Sequence, residues 1–141
     1  VTGADLASAA RMLVGAPFRL HGRDPSTGLD CLGVLAAACA ACGCRARFPV
    51  CYTLRAVNPL PHAALVRELE LRETSGAVEA GDVLLLRPGP CQHHLAIATG
   101  AGLFVHAHAG LRRVVEAPLP AAWPALARWR PVPAKDFTWQ R

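Results

Sequence analysis

No uninterrupted apolar run in the 141 residues reaches the ~20 residues that a membrane-spanning helix needs. Val1 to Gly15 lacks a basic head followed by a solid apolar stretch. No signal peptide is therefore expected, and synthesis in the cytoplasm is. No dense basic run occurs, and arginine is not interleaved with aromatics, so nucleic acid is not an expected partner. There is no internal repeat. Charge is sparse, with 18% charged residues and a net +5. Such a modestly basic surface suits an anionic partner such as cell-wall polymer, although solubility explains it nearly as well.

What remains is an ordinary globular composition, 52% apolar, and a single domain over 1–141 is expected. The length suffices to bury a core without metal or disulfide support. The six cysteines are expected as reduced thiols. Asp5 to Val14 has the apolar spacing of an amphipathic helix. Residues 18 to 29 contain Gly22, Pro25 and Gly28 and read as a loop. Cys31 to Cys42 is apolar nearly all round, which predicts a buried central helix, with Gly43 as its left-handed cap. A third helix is expected from about His62 to Arg72. Beyond Gly81-Asp82 the period becomes strand-like. Val83–Arg87, Leu95–Thr99, Leu103–Ala107, Arg112–Glu116 and Arg128–Val132 are the strand candidates. Glycine-bearing turns join them, so the fold class is α+β, with helices first and an antiparallel sheet of about five strands after them.

Cys31 is the residue with the most chemistry in its surroundings. Asp30 is a natural N-cap, which places Cys31 at the first helical position. Free amides and the positive end of the helix dipole there favour the thiolate, the nucleophilic form. Downstream, alternation puts His94, Ala96 and Ala98 on one face of a strand. Phe104, His106 and His108 share a face of the next. A three-residue turn at 100–102 sets His94 opposite His108 and diagonal to His106; a turn shifted by two sets it opposite His106. Either register brings two imidazoles within reach. If the central helix brings Cys31 against that face, one histidine serves as base and another orients it. The base is expected to titrate near neutrality. The N–H of Cys31 is a candidate oxyanion donor.

The ordered motifs resemble the NlpC-type bacterial cell-wall cysteine peptidases. That family's pattern is Gly-x-Pro-Tyr, then Asp-Cys-Ser/x-Gly opening a helix. It continues with Gly-Asp, His-Val-Gly-Ile-Tyr-x-Gly and Phe-x-His-Ala. This chain has Gly15-Ala16-Pro17-Phe18, Leu29-Asp30-Cys31-Leu32-Gly33, Gly81-Asp82-Val83, His94-Leu95-Ala96-Ile97-Ala98-Thr99-Gly100 and Phe104-Val105-His106-Ala107 in the same order. The resemblance covers about residues 5 to 131. It implies a papain-like fold and hydrolysis of peptide bonds in peptidoglycan stem peptides. Cys31 would be the nucleophile, His94 the general base and His106 the residue that orients it, with no cofactor or metal. The chain departs from the family at Phe18, where a tyrosine hydroxyl usually helps position substrate. His21, in the same loop, is a candidate substitute. A stand-alone catalytic domain resembles the peptidases of phage tails and gene-transfer particles. This implies delivery to the cell wall or periplasm by such a particle, with tail proteins as partners.

Less specialised roles stand beside these. Asp30 is a cap that can also touch a substrate amine, and His108 is a substitute orienting residue or a substrate contact. His93 is expected to be solvated. Gly28 serves a turn and Gly33 close packing. Cys39, Cys42, Cys44, Cys51 and Cys91 read as core filler or incidental thiols, and Trp123, Trp129 and Trp139 as packing residues. Two other functions compete. One is a catalytically weak or inactive binding module on the same fold. The other is a zinc module drawing on Cys42, Cys44, His93, His94, His106 and His108, in which Cys42-x-Cys44 lacks a matching second pair.

Overall fold

The computed structural model describes residues 1–44, 69–90 and 92–132. Helix α1 spans Gly3–Arg11 and helix α2 Cys31–Ala41. Between them a small hairpin pairs β1, Arg23–Asp24, with β2, Gly28–Leu29. The strands β3 (Leu71–Glu73), β4 (Val83–Leu86), β5 (His94–Gly100), β6 (Leu103–His108), β7 (Arg113–Ala117) and β8 (Ala125–Pro131) follow. They form one antiparallel sheet of six strands in the order β3-β8-β4-β5-β6-β7. The α+β class is as the sequence implies, with six strands in place of about five.

Helix α1 begins earlier than its apolar spacing implies because Thr2 and Asp5 form a capping box. The Asp5 N–H donates to Thr2 Oγ1 at 3.1 Å, and the Thr2 N–H to Asp5 Oδ2 at 3.2 Å. After Arg11 the chain tightens into turns that lead to Gly15. Strand alternation sorts the sheet residues into two cores. Val83, Leu85, Leu95, Ile97, Val105, Ala107 and Val114 face the helices, against Leu6, Ala10, Val34, Leu35 and Ala38. Leu84, Leu86, Ala96 and Ala98 form the opposite core, with Phe104, Leu119 and Trp123 packed on it. Trp129 packs on the first core, and Trp139 lies outside the described residues.

Of the helix expected over 62–72, residues 62–68 lie outside the described residues, and its expected end is a strand. Leu71 pairs with Pro131, Arg72 with Arg130 and Glu73 with Trp129. The free edge of β8 offers this segment a hydrogen-bond ladder, and tertiary pairing of that kind overrides local periodicity. The Gly81-Asp82 motif is structural. A Cβ on Gly81 would lie 2.2 Å from the Gly3 backbone. The buried Asp82 carboxylate accepts from Arg130 Nε at 2.7 Å and Nη2 at 3.0 Å, tying β8 to the turn before β4.

Candidate active site

The loop before α2 is shaped by what cannot fit there. Gly28 has φ +140°, and a Cβ on it would lie 2.5 Å from the Arg19 Cβ. A Cβ on Gly33 would lie 2.1 Å from the Gly22 carbonyl oxygen, so the loop rests directly on the first turn of the helix. Asp30, 0% exposed, joins the two parts. Its carboxylate accepts the Gly33 N–H at 2.8 Å, the His21 N–H at 2.7 Å and Arg23 Nη1 at 3.1 Å. Asp30 is thus the expected cap. Its carboxylate is buried and engaged by the fold. His21 is exposed, with φ 61°. Phe18 is half-buried, bridges to Leu29 and packs on the helix-side core.

Cys31 heads α2 as expected, but its surroundings oppose the thiolate. The residue is 3% exposed. Burial pushes the thiol up to about 12, and the Asp30 charge adds to the rise. The Leu95 and Leu32 amides donating to sulfur, and the Arg23 charge, pull the other way and lose. The helix terminus contributes roughly 1 kcal/mol, which cannot offset desolvation of a buried anion. The Leu95 contact places Sγ at the backbone of the residue following His94.

The histidine pair forms as the strands imply. Ile97 pairs with Val105 and Ala98 with Phe104, so one step along the ladder puts Ala96 across from His106 and leaves His94 diagonal to it. This is the register of the three-residue turn. His94 Nε2 and His106 Nδ1 are 2.9 Å apart, which leaves His94 Nδ1 for another partner. The Trp123 ring meets both imidazoles edge-on, with centroids 5.5 and 6.0 Å away. Burial, then the neighbouring His106 and His108, lower His94 to about 3. Burial and His108 lower His106 to about 4. Both shifts run away from the near-neutral base that the sequence implies, because charge on these rings is poorly solvated.

His108 is engaged by the turn that follows it. Its Nδ1 accepts the Leu111 N–H at 2.9 Å and stabilises the turn into β7. His93 is buried, 6% exposed, where solvation was expected. Just before it, the Gln92 N–H donates to the Gly89 carbonyl at 3.2 Å. His93, His94, His106 and His108 then line a cavity of about 310 Å³ with Gln92 and Trp123. A second cavity, about 570 Å³, continues past His106, His108 and Trp123 to Arg113. Cys51 and Cys91 lie outside the described residues. Among the described residues, no three His, Cys, Asp or Glu are grouped to hold a metal ion, and no helix is long and apolar enough to cross a membrane.

The lowered histidines make stability depend on acid. Between pH 6.5 and about 4 the unfolded chain carries protons on His94 and His106 that the folded chain refuses. Stability is complete above pH 6.5 and is lost as pH falls through this window. Denaturant titrations from pH 7 to 5 should show wild type losing stability more steeply than His94→Gln. Equal slopes would show that burial does not suppress the charge on His94.

No protein-family model matches the chain, and no curated protein matches it in sequence. Solved structures do match. The NlpC/p60 domain of the peptidoglycan hydrolase SagA is 24% identical, with a TM-score of 0.66 over 94% of this chain and 100% of that one. NlpC1 from Trichomonas vaginalis is 19% identical, with a TM-score of 0.65 over 90% of this chain; the match spans 44% of NlpC1. The P60 domain of the M. avium subspecies paratuberculosis antigen MAP1204 is 18% identical, with a TM-score of 0.59 over 92% and 93%. The chain has the fold of NlpC/p60 domains.

Proposed function

We propose that this chain is an NlpC/p60-type cysteine peptidase that hydrolyses amide bonds in peptidoglycan stem peptides. The observation that carries the reading is the 2.9 Å His94–His106 bond at the start of the strand whose Leu95 amide meets the Cys31 sulfur. The likeness to a peptidoglycan hydrolase domain over nearly the whole chain supports the same reading.

In this reading Cys31 and His94 rest as neutral thiol and neutral imidazole. As Sγ attacks the scissile carbonyl carbon, His94 takes the thiol proton, and the C–N bond then breaks as that proton passes to the leaving amine. Water, deprotonated by the same imidazole, hydrolyses the thioester and frees the sulfur. His106 keeps the His94 ring oriented. The Cys31 N–H lies among the helix-start amides that have no partner within the helix, where it can hold the oxyanion.

Digestion of purified peptidoglycan, with mass analysis of the fragments, tests this. Wild type should release cleaved stem peptides, and His94→Ala should slow release by about 100- to 10,000-fold, the usual worth of a general base. Release by His94→Ala at the wild-type rate would overturn the assignment. The burial of Cys31 favours a second reading, a binding module that has lost turnover. Its outcome in the same experiment is intact peptidoglycan that nevertheless retains the protein on sedimentation.

A further inference from the structure

The end of α2 carries a second group of thiols. Its sequence, Cys39-Ala40-Ala41-Cys42-Gly43-Cys44, contains a Cys-x-x-Cys followed by a Cys-x-Cys. The helix closes with two bonds: the Cys44 N–H donates to the Cys39 carbonyl at 2.9 Å, and the Gly43 N–H to the Ala40 carbonyl at 3.0 Å. Gly43 has φ 85°. This is a Schellman ending, a motif in which the side chains flanking the long bond, here Cys39 and Cys44, frequently meet. A backbone bond of 2.9 Å holds the two Cα atoms within about 6.8 Å, inside the range of roughly 4.4–6.8 Å that a disulfide spans. Of the charges acting on Cys39, Cys44 acts most strongly, ahead of Cys42. Cys39 is buried, whereas Cys42 and Cys44 are half-buried. All three line a cavity of about 460 Å³ with Leu6, Leu69 and Leu71.

We propose that Cys39 and Cys44 form a thiol–disulfide exchange site that takes low-molecular-weight disulfides and closes a Cys39–Cys44 bond across the end of α2. The more exposed Cys44 begins. Its thiolate attacks one sulfur of the small disulfide, forms a mixed disulfide and expels one thiolate, which takes up a proton. Cys39 then attacks the Cys44 sulfur and expels the second small thiol, to which its own proton passes. The protein loses two hydrogens, and one disulfide is reduced to two thiols. Burial holds the Cys39 thiol up at about 12, which makes the second step slow. It also makes Cys39 a poor leaving group, so the closed bond resists reduction. The site is independent of the peptidase reading and needs neither Cys31 nor the histidines.

The test uses reduced protein equilibrated with oxidised glutathione, alkylated and digested with trypsin, followed by mass spectrometry of the peptide spanning residues 24–45. Wild type and Cys42→Ser should both show this peptide short of two hydrogens. Cys39→Ser and Cys44→Ser should not show the loss, and Cys39→Ser should hold a glutathione adduct on Cys44. A bond that disappears in Cys42→Ser, or a wild-type peptide carrying only glutathione adducts, would overturn the proposal. Circular dichroism of each serine variant separates a lost bond from a lost fold.

Discussion

Cys31→Ala should release stem-peptide fragments at least about 10,000-fold more slowly than wild type, because no other group takes over a missing nucleophile. The same protein should fold with unchanged thermal stability or lose only a little. The sulfur is buried, 3% exposed, so the substitution leaves a space the size of one sulfur atom, and cavities this small cost about 1 kcal/mol. Rate and stability therefore separate, which distinguishes loss of chemistry from loss of structure. Cys31→Ser sharpens the point. It keeps the volume and two amide partners, but a hydroxyl is a far weaker nucleophile than sulfur and should not restore the rate. Undiminished release by Cys31→Ala would remove the nucleophile from the mechanism, whatever the histidines do.

The distribution of what could be read in advance has a physical pattern. Features set by backbone geometry were legible. Asp30 caps α2, Gly33 is pressed against Gly22, Gly43 terminates the helix in a left-handed turn, and the turn after β5 sets the register that joins His94 to His106. Each depends on local chemistry that the sequence displays directly. Features set by burial were not. Desolvation, invisible along one dimension, raises the Cys31 thiol and lowers His94, against the helix terminus and the intrinsic imidazole basicity that the sequence displays. His93 fails for the same reason: alternation gives its direction but not what lies over it. The strand at Leu71–Glu73 was hidden because its partner, β8, lies more than fifty residues on. The dithiol at Cys39 and Cys44 had a visible signal in its spacing. Read one at a time as small apolar residues, those cysteines concealed it.

Asp30→Ala should destabilise the protein by about 3 kcal/mol, the second large effect expected here. Three contributions converge on one carboxylate. Loss of a helix N-cap costs about 1 kcal/mol. The His21 amide loses its acceptor as well, and a donor left unsatisfied in a buried setting costs about 1–3 kcal/mol. Arg23, 3.1 Å away and about one quarter exposed, loses its counter-ion but can turn toward water, which keeps its share below that of a fully buried pair. Asp30→Asn separates these effects: it retains one acceptor oxygen for the cap and should cost less than half as much. A double-mutant cycle with Arg23→Ala, read by denaturant unfolding, isolates the ion pair. Because the carboxylate fixes both the 21–30 loop and the first turn of α2, Asp30→Ala should also lower turnover at temperatures where it remains folded, whereas Arg23→Ala should lower it less. A loss of stability under about 1 kcal/mol in Asp30→Ala would mean that the loop and helix are held together by packing at Gly22 and Gly33, and that the carboxylate is dispensable to the placement of Cys31.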